Sequence, residues 1–141
     1  MIEEMFHGMA LCAGAAGLEL GVALATSGRA RGVVYVERGA EAAAVLVARM
    51  QEGRLHSAPI WSDLRTFDAA AWRGRVHFVT AGFPCQPISV AGKRGERVAR
   101  EADERWLWPI VRERIEQCEP EIVFLENGDR FLRHGFEDVQ R

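Results

Sequence analysis

Along this chain, short β-branched or aromatic runs alternate with stretches of helical periodicity, an order that leaves few folds open. Residues 9–13 are a short apolar run that meets a glycine, and residues 17–27 read as a helix stopped by Gly28. Residues 32–37 (GVVYVE) suit a buried parallel strand. Residues 41–51 are alanine-rich, with Ala44, Val45 and Ala48 at helical spacing, and stop at Gly53. Residues 59–62 are a short strand, 67–72 a helical turn, and 76–81 a strand that opens into a Gly/Pro-rich loop. Residues 103–118 follow as a helix, with Leu107, Ile110, Val111, Arg114 and Ile115 on one stripe, broken by Pro120. Residues 121–125 are a further strand, and residues 135–141 begin a last helix. The order predicts an α/β fold: a doubly wound, mostly parallel sheet with right-handed crossovers, as one domain over residues 1–141.

With 141 residues, the chain is long enough to bury a core. Its net charge of −2 gives no global electrostatic footprint for nucleic acid. Contact with DNA would need a local patch, and Lys93, Arg94, Arg97 and Arg100 form one. Cys12, Cys85 and Cys118 lie far apart without C-x-x-C spacing, which argues against a disulfide framework. The histidines are scattered, so no metal site is expected. Residues 8–28 carry only Glu19 as a charge, yet their glycines and few large aliphatics make a poor membrane span. No basic residue precedes them as a signal peptide would require. A cytoplasmic protein without membrane partners is the expectation.

In a doubly wound sheet, ligands gather at the carboxyl ends of the strands. Gly14, Glu37, Asp63, Cys85 and Glu126 all fall after successive strands. Gly14-Ala15-Ala16-Gly17 links a strand to a helix, where backbone N–H groups can face a ligand and small side chains permit close approach. Glu37, ending the next strand, suits the two hydroxyls of a ribose. Asp63 suits an adenine amino group, although capping its own turn is an equally ordinary use. Together they describe a site for an adenosine-containing cofactor and leave NAD and S-adenosylmethionine both open. The turn is not a full G-x-G-x-x-G, which gives a pyrophosphate little support. Cys85 lies in GFPCQPIS, between prolines that fix the backbone, with basic residues close behind. A thiol in that setting is a candidate nucleophile. Cys12 and Cys118 read as small buried hydrophobes. Glu126 ends the apolar strand FLEN, where an apolar wall would favour a protonated carboxyl able to serve a ring nitrogen.

Taken in order, these segments resemble the DNA cytosine-5 methyltransferase family. LCAGAAGLELG is similar to its first motif, GFPCQPIS to its nucleophile loop, DERWLWP to the motif after it, and Glu126-Asn127 to its Glu-Asn-Val. The resemblance covers residues 11–127. It implies a Rossmann-like S-adenosylmethionine-dependent methyltransferase fold, here truncated, with Gly14, Gly17, Leu18, Glu37, Asp63, Leu64, Pro84 and Leu107 lining the cofactor pocket. It also implies that Cys85 attacks C6 of a cytosine flipped out of double-stranded DNA, that Glu126 serves N3, and that C5 takes the methyl group. Three residues depart from the family pattern: Cys12 for a phenylalanine, Ala16 for a glycine of the turn, and Gly128 for the valine. The family's Gln-x-Arg-x-Arg segment, target recognition region and closing motif have no counterpart. The chain therefore reads as a fragment, half of a split enzyme, or a decayed gene product, needing a complementing polypeptide that carries the recognition region. A domain that binds S-adenosylmethionine without turnover is the nearest rival. A nucleotide-binding oxidoreductase fragment is a more distant one.

Overall fold

A computed structural model describes residues 5–84, 106–128 and 139. Five strands, β1 (Phe6–Leu11), β2 (Ala30–Val36), β3 (Ile60–Trp61), β4 (Phe78–Ala81) and β5 (Ile122–Leu125), form one sheet in the order β3-β2-β1-β4-β5. Every pairing is parallel. The chain winds outward from β1 to β2 and β3, then returns to place β4 and β5 on the other side. This is the doubly wound arrangement expected from the alternation, and the direction reverses between β1 and β4.

The pleat divides the core in two. Met9 and Leu11 of β1, Val34 and Val36 of β2, and Val79 and Ala81 of β4 share one face with Phe83, Trp108, Val111 and Cys118. Ala10 and Tyr35 point the other way and pack with Ala16 and Leu46, from the segments that carry α1 (Gly17–Ala25) and α2 (Ala40–Gln51). Residues on alternate sides of a fully covered strand are all apolar, so β1 and β2 read as continuous hydrophobic runs.

Helix ends follow local chemistry. Beyond α1, Thr26 Oγ1 donates to the Val22 carbonyl at 2.8 Å and accepts from the Ala30 N–H at 3.0 Å, tying the helix end to the start of β2. Gly28 takes φ +81, the left-handed conformation that a glycine stop provides. The third helix, α3, spans Trp108–Cys118. The sequence places its start at residue 103; Trp106 and Leu107 are not helical, and residues 103–105 lie outside the described residues. Pro109 sits in the first turn, where its missing N–H costs no hydrogen bond. The helical turn expected at 67–72 is a 3-10 turn at Ala70–Trp72. Of the last expected helix only Val139 is described, partly buried against the core. Among the described residues no helix is long and apolar enough to cross a membrane.

Candidate active site

The first turn is built from alternating backbone handedness: Cys12, Gly14 and Ala16 have φ of +54, +54 and +59. Such alternation turns successive N–H groups inward to make a concavity for an anion. The anion here is the chain's own: Glu37 Oε2 accepts the Gly14 N–H at 2.7 Å, and Oε1 accepts the Gly39 N–H at 2.6 Å. Glu37 thus joins the ends of β1 and β2, with both carboxylate oxygens held by backbone N–H groups. Arg49 adds a further tie by donating to the Ala15 carbonyl.

Asp63, after β3, caps its own turn and also lines the cavity. Its Oδ1 accepts the Arg65 N–H at 2.9 Å, capping the turn, and the residue faces the same cavity as Glu37. That cavity has a volume of about 520 Å³, within the range of small-molecule sites. It crosses four strand ends, from Asp63, Leu64 and Arg65 at β3, through Glu37 and Arg38 at β2 and Cys12 and Gly14 at β1, to Gly82 and Pro84 at β4. Leu107 closes one side. Of the eight pocket residues named from the sequence, Gly14, Glu37, Asp63, Leu64, Pro84 and Leu107 line it. Gly17 and Leu18 do not: Gly17 begins α1 on the exposed side, and Leu18 packs toward Gly82, with its Cδ1 3.8 Å from where a Cβ on that glycine would be. Val36, Arg38, Arg65 and Gly82 line the cavity without having been singled out. Val36, Arg38 and Arg65 each adjoin a residue that was, and Gly82 opens the GFPCQPIS segment directly after β4, so adjacency to a strand end was the available signal.

Cys12 is half-buried in the cavity wall rather than in the core. Burial, with the Glu37 carboxylate adding to it, pushes its thiol up to about 11. Cys118 is fully buried, as expected, and its thiol is likewise pushed up to about 11, chiefly by burial. Both remain protonated at neutral pH and are poor nucleophiles. Cys85 and the basic residues Lys93, Arg94, Arg97 and Arg100 lie outside the described residues.

The segment leading to Cys85 is fixed up to Pro84. Phe83 stacks on Trp108 with ring centroids 5.5 Å apart, and its carbonyl accepts from Asn127 Nδ2 at 2.8 Å. The Glu126 N–H donates to the Ala81 carbonyl at 3.0 Å, and Glu126 Oε2 lies 3.6 Å from where a Cβ on Gly82 would be. Glu126 therefore stands beside the approach to Cys85. It is exposed, however, and among the described residues it does not meet the apolar wall expected from FLEN: all four residues of β5 are themselves exposed.

The cavity fits S-adenosylmethionine on the chemistry of its lining. The carboxylates of Glu37 and Asp63 stand at neighbouring strand ends as acceptors for hydroxyl and amino groups, Val36, Leu64 and Leu107 give apolar walls, and the cavity reaches Pro84. Among the described residues, no three His, Cys, Asp or Glu side chains come together as a metal would require.

Comparison with known proteins agrees with this geometry. The C-5 cytosine-specific DNA methylase family matches residues 6–140. The Type II methyltransferase M.CviJI of Paramecium bursaria Chlorella virus IL3A is 31% identical over 131 residues, covering 93% of this chain and 32% of its own length. The Type II methyltransferase M.NgoMIV of Neisseria gonorrhoeae is 29% identical over 139 residues, covering 96% of this chain and 39% of its own. The chain thus spans 32–39% of the length of these curated relatives. It belongs to the C-5 cytosine-specific DNA methylase family.

Proposed function

We propose that this chain is the cofactor-binding and nucleophile-bearing part of an enzyme that methylates C5 of cytosine in double-stranded DNA, with S-adenosylmethionine as methyl donor. One observation carries the reading. A single cavity runs from the adenosine-type carboxylates Glu37 and Asp63 to Pro84, the residue before Cys85, with Glu126 beside it. In this reading Glu37 accepts the ribose hydroxyls and Asp63 the adenine amino group, while Leu64 and Leu107 pack on the base. S-adenosylmethionine held there would supply an electrophilic methyl group.

The Cys85 thiolate adds to C6 of a cytosine drawn out of the duplex. Glu126 hydrogen-bonds or protonates N3, which stabilises the charge that the addition pushes into the ring and makes C5 nucleophilic. C5 takes the methyl group, leaving S-adenosylhomocysteine, and loss of the C5 proton to a base with expulsion of the Cys85 thiolate then completes the exchange. Lys93, Arg94, Arg97 and Arg100 hold the phosphate backbone in a salt-dependent, sequence-independent way.

Target recognition is assigned to the part of the relatives that this sequence does not match, carried by the same polypeptide or by a complementing one. What supports a covering segment of that kind is the exposure of Ile122, Val123, Phe124 and Leu125, between 37% and 51% each. A second reading, a catalytically incomplete subunit that binds S-adenosylmethionine and depends on a partner, is favoured by the exposed position of Glu126.

Trapping separates the two. Duplex DNA containing 5-fluorocytosine cannot lose its C5 substituent. With S-adenosylmethionine and a polypeptide carrying the remaining segments of a relative, the wild-type chain should become covalently attached and Cys85→Ser should not. Glu126→Gln should slow trapping by roughly 10²-fold with cofactor affinity unchanged. Equal trapping by Cys85→Ser would remove Cys85 from the chemistry and leave the binding subunit.

A further inference from the structure

Arg114 lies in the middle of α3 at 8% exposure, one of the few charged residues within the core. A buried guanidinium is costly unless its N–H groups are all directed at acceptors. Two of these acceptors lie on the turn after β3. Arg114 Nε donates to the Leu64 carbonyl at 3.0 Å and Nη2 to the Arg65 carbonyl at 2.8 Å, a two-pronged grip on successive peptide groups. Nη1 is held by Gln117 at 3.2 Å and by Glu113 at 3.1 Å, which sets the plane of the fork from within the helix. The grip passes directly to Asp63, because the Arg65 N–H is bonded to Asp63 Oδ1. The residue whose carbonyl Arg114 holds therefore holds the Asp63 carboxylate by its amide. Leu64, the other gripped residue, lines the cavity next to Asp63.

We infer that Arg114 is the positioning residue for adenine recognition: it fixes the Asp63–Leu64–Arg65 turn so that the Asp63 carboxylate meets the exocyclic amino group of the cofactor's base. The inference rests on the reading of the cavity as an adenosyl site. A planar fork is required. Lysine at this position keeps a charge but presents one rotatable ammonium and cannot bond two carbonyls in a fixed plane.

The test compares two ligands on the full chain by titration calorimetry, well below the melting temperature. One is S-adenosylhomocysteine. The other is S-inosylhomocysteine, in which a carbonyl replaces the amino group and faces Asp63 as an acceptor. Wild type should prefer the adenosyl ligand by tenfold or more, and Asp63→Ala should lose that preference. Arg114→Met should fall to the Asp63→Ala ratio, and Arg114→Lys should lie between. A merely structural arginine would lower the melting temperature, or both affinities together, and leave the ratio intact. If Arg114→Met and Arg114→Lys both keep the wild-type ratio, the inference is overturned while the adenosyl site stands. If wild type binds neither ligand, or does not discriminate, the adenosyl reading itself fails and takes the inference with it.

Discussion

Glu19 enters the core from the first turn of α1, only 8% exposed, with Oε1 bonded to the hydroxyl of Thr80 on β4. Its Oε2 is buried without a hydrogen-bond partner among the described residues. Burial raises its pKa, and the bonds from Thr80 and its own backbone only partly offset that. A carboxyl raised above its unfolded value favours the neutral form in the folded chain. Its contribution is fully present below the unfolded pKa and is lost as pH rises through the folded one. Wild-type thermal stability should therefore decline as pH rises above the ordinary carboxylate range. Glu19→Gln, whose amide oxygen can still accept from the Thr80 hydroxyl, should flatten that decline and melt higher at the alkaline end, as calorimetric scans across that range would read. An equal decline in both proteins would place the titration elsewhere. Glu37 and Asp63 are legible in the sequence because a carboxylate at a strand end is exceptional by position alone. Glu19 and Arg114 are harder, since each sits within a helical pattern and only the folded chain shows which face it lies on. The signal for Arg114 is a charge inside an otherwise apolar stripe.

The secondary elements are largely legible, since each strand or helix begins and ends at a glycine, proline or polar break. Their boundaries shift where a side chain decides the issue. Pro109 starts α3 by occupying its first turn, although the helical pattern extends further back. At the other end of the fold Thr26 joins α1 to β2 with one hydroxyl that both donates and accepts. Thr26→Val keeps the shape and removes both bonds, leaving the Ala30 N–H without that acceptor. It should cost about 1–2 kcal/mol in urea denaturation, whereas Thr26→Ser should cost less than about half of that. If Thr26→Val is neutral, water replaces the hydroxyl and the junction is not a stability element. β5 shows what an element's own residues do not encode. Its apolar run reads as a buried strand, yet whether an edge strand is covered depends on what lies beside it.

At the scale of the whole molecule, the doubly wound order follows from the alternation of segments and is the order observed, and a cavity lies at the strand ends where such a sheet gathers ligands. The sheet is asymmetric at its margins. On one side it ends in β3, only two residues long, the short edge by which proteins discourage further pairing. Among the described residues the other side ends in β5, apolar and exposed on both faces, since neighbouring residues of a strand point in opposite directions. Such an edge invites another strand. What covers it decides how activity responds to concentration. A cover belonging to the same polypeptide closes over β5 at a rate independent of dilution, so activity per molecule is constant. A cover brought by a separate polypeptide is in equilibrium with its solution, and activity per molecule falls once both are diluted below their dissociation constant. A dilution series of the trapping reaction, at fixed ratio of the two chains, should therefore bend downward, and adding an excess of either chain should straighten it. A flat series would mean that the edge, once covered, does not reopen.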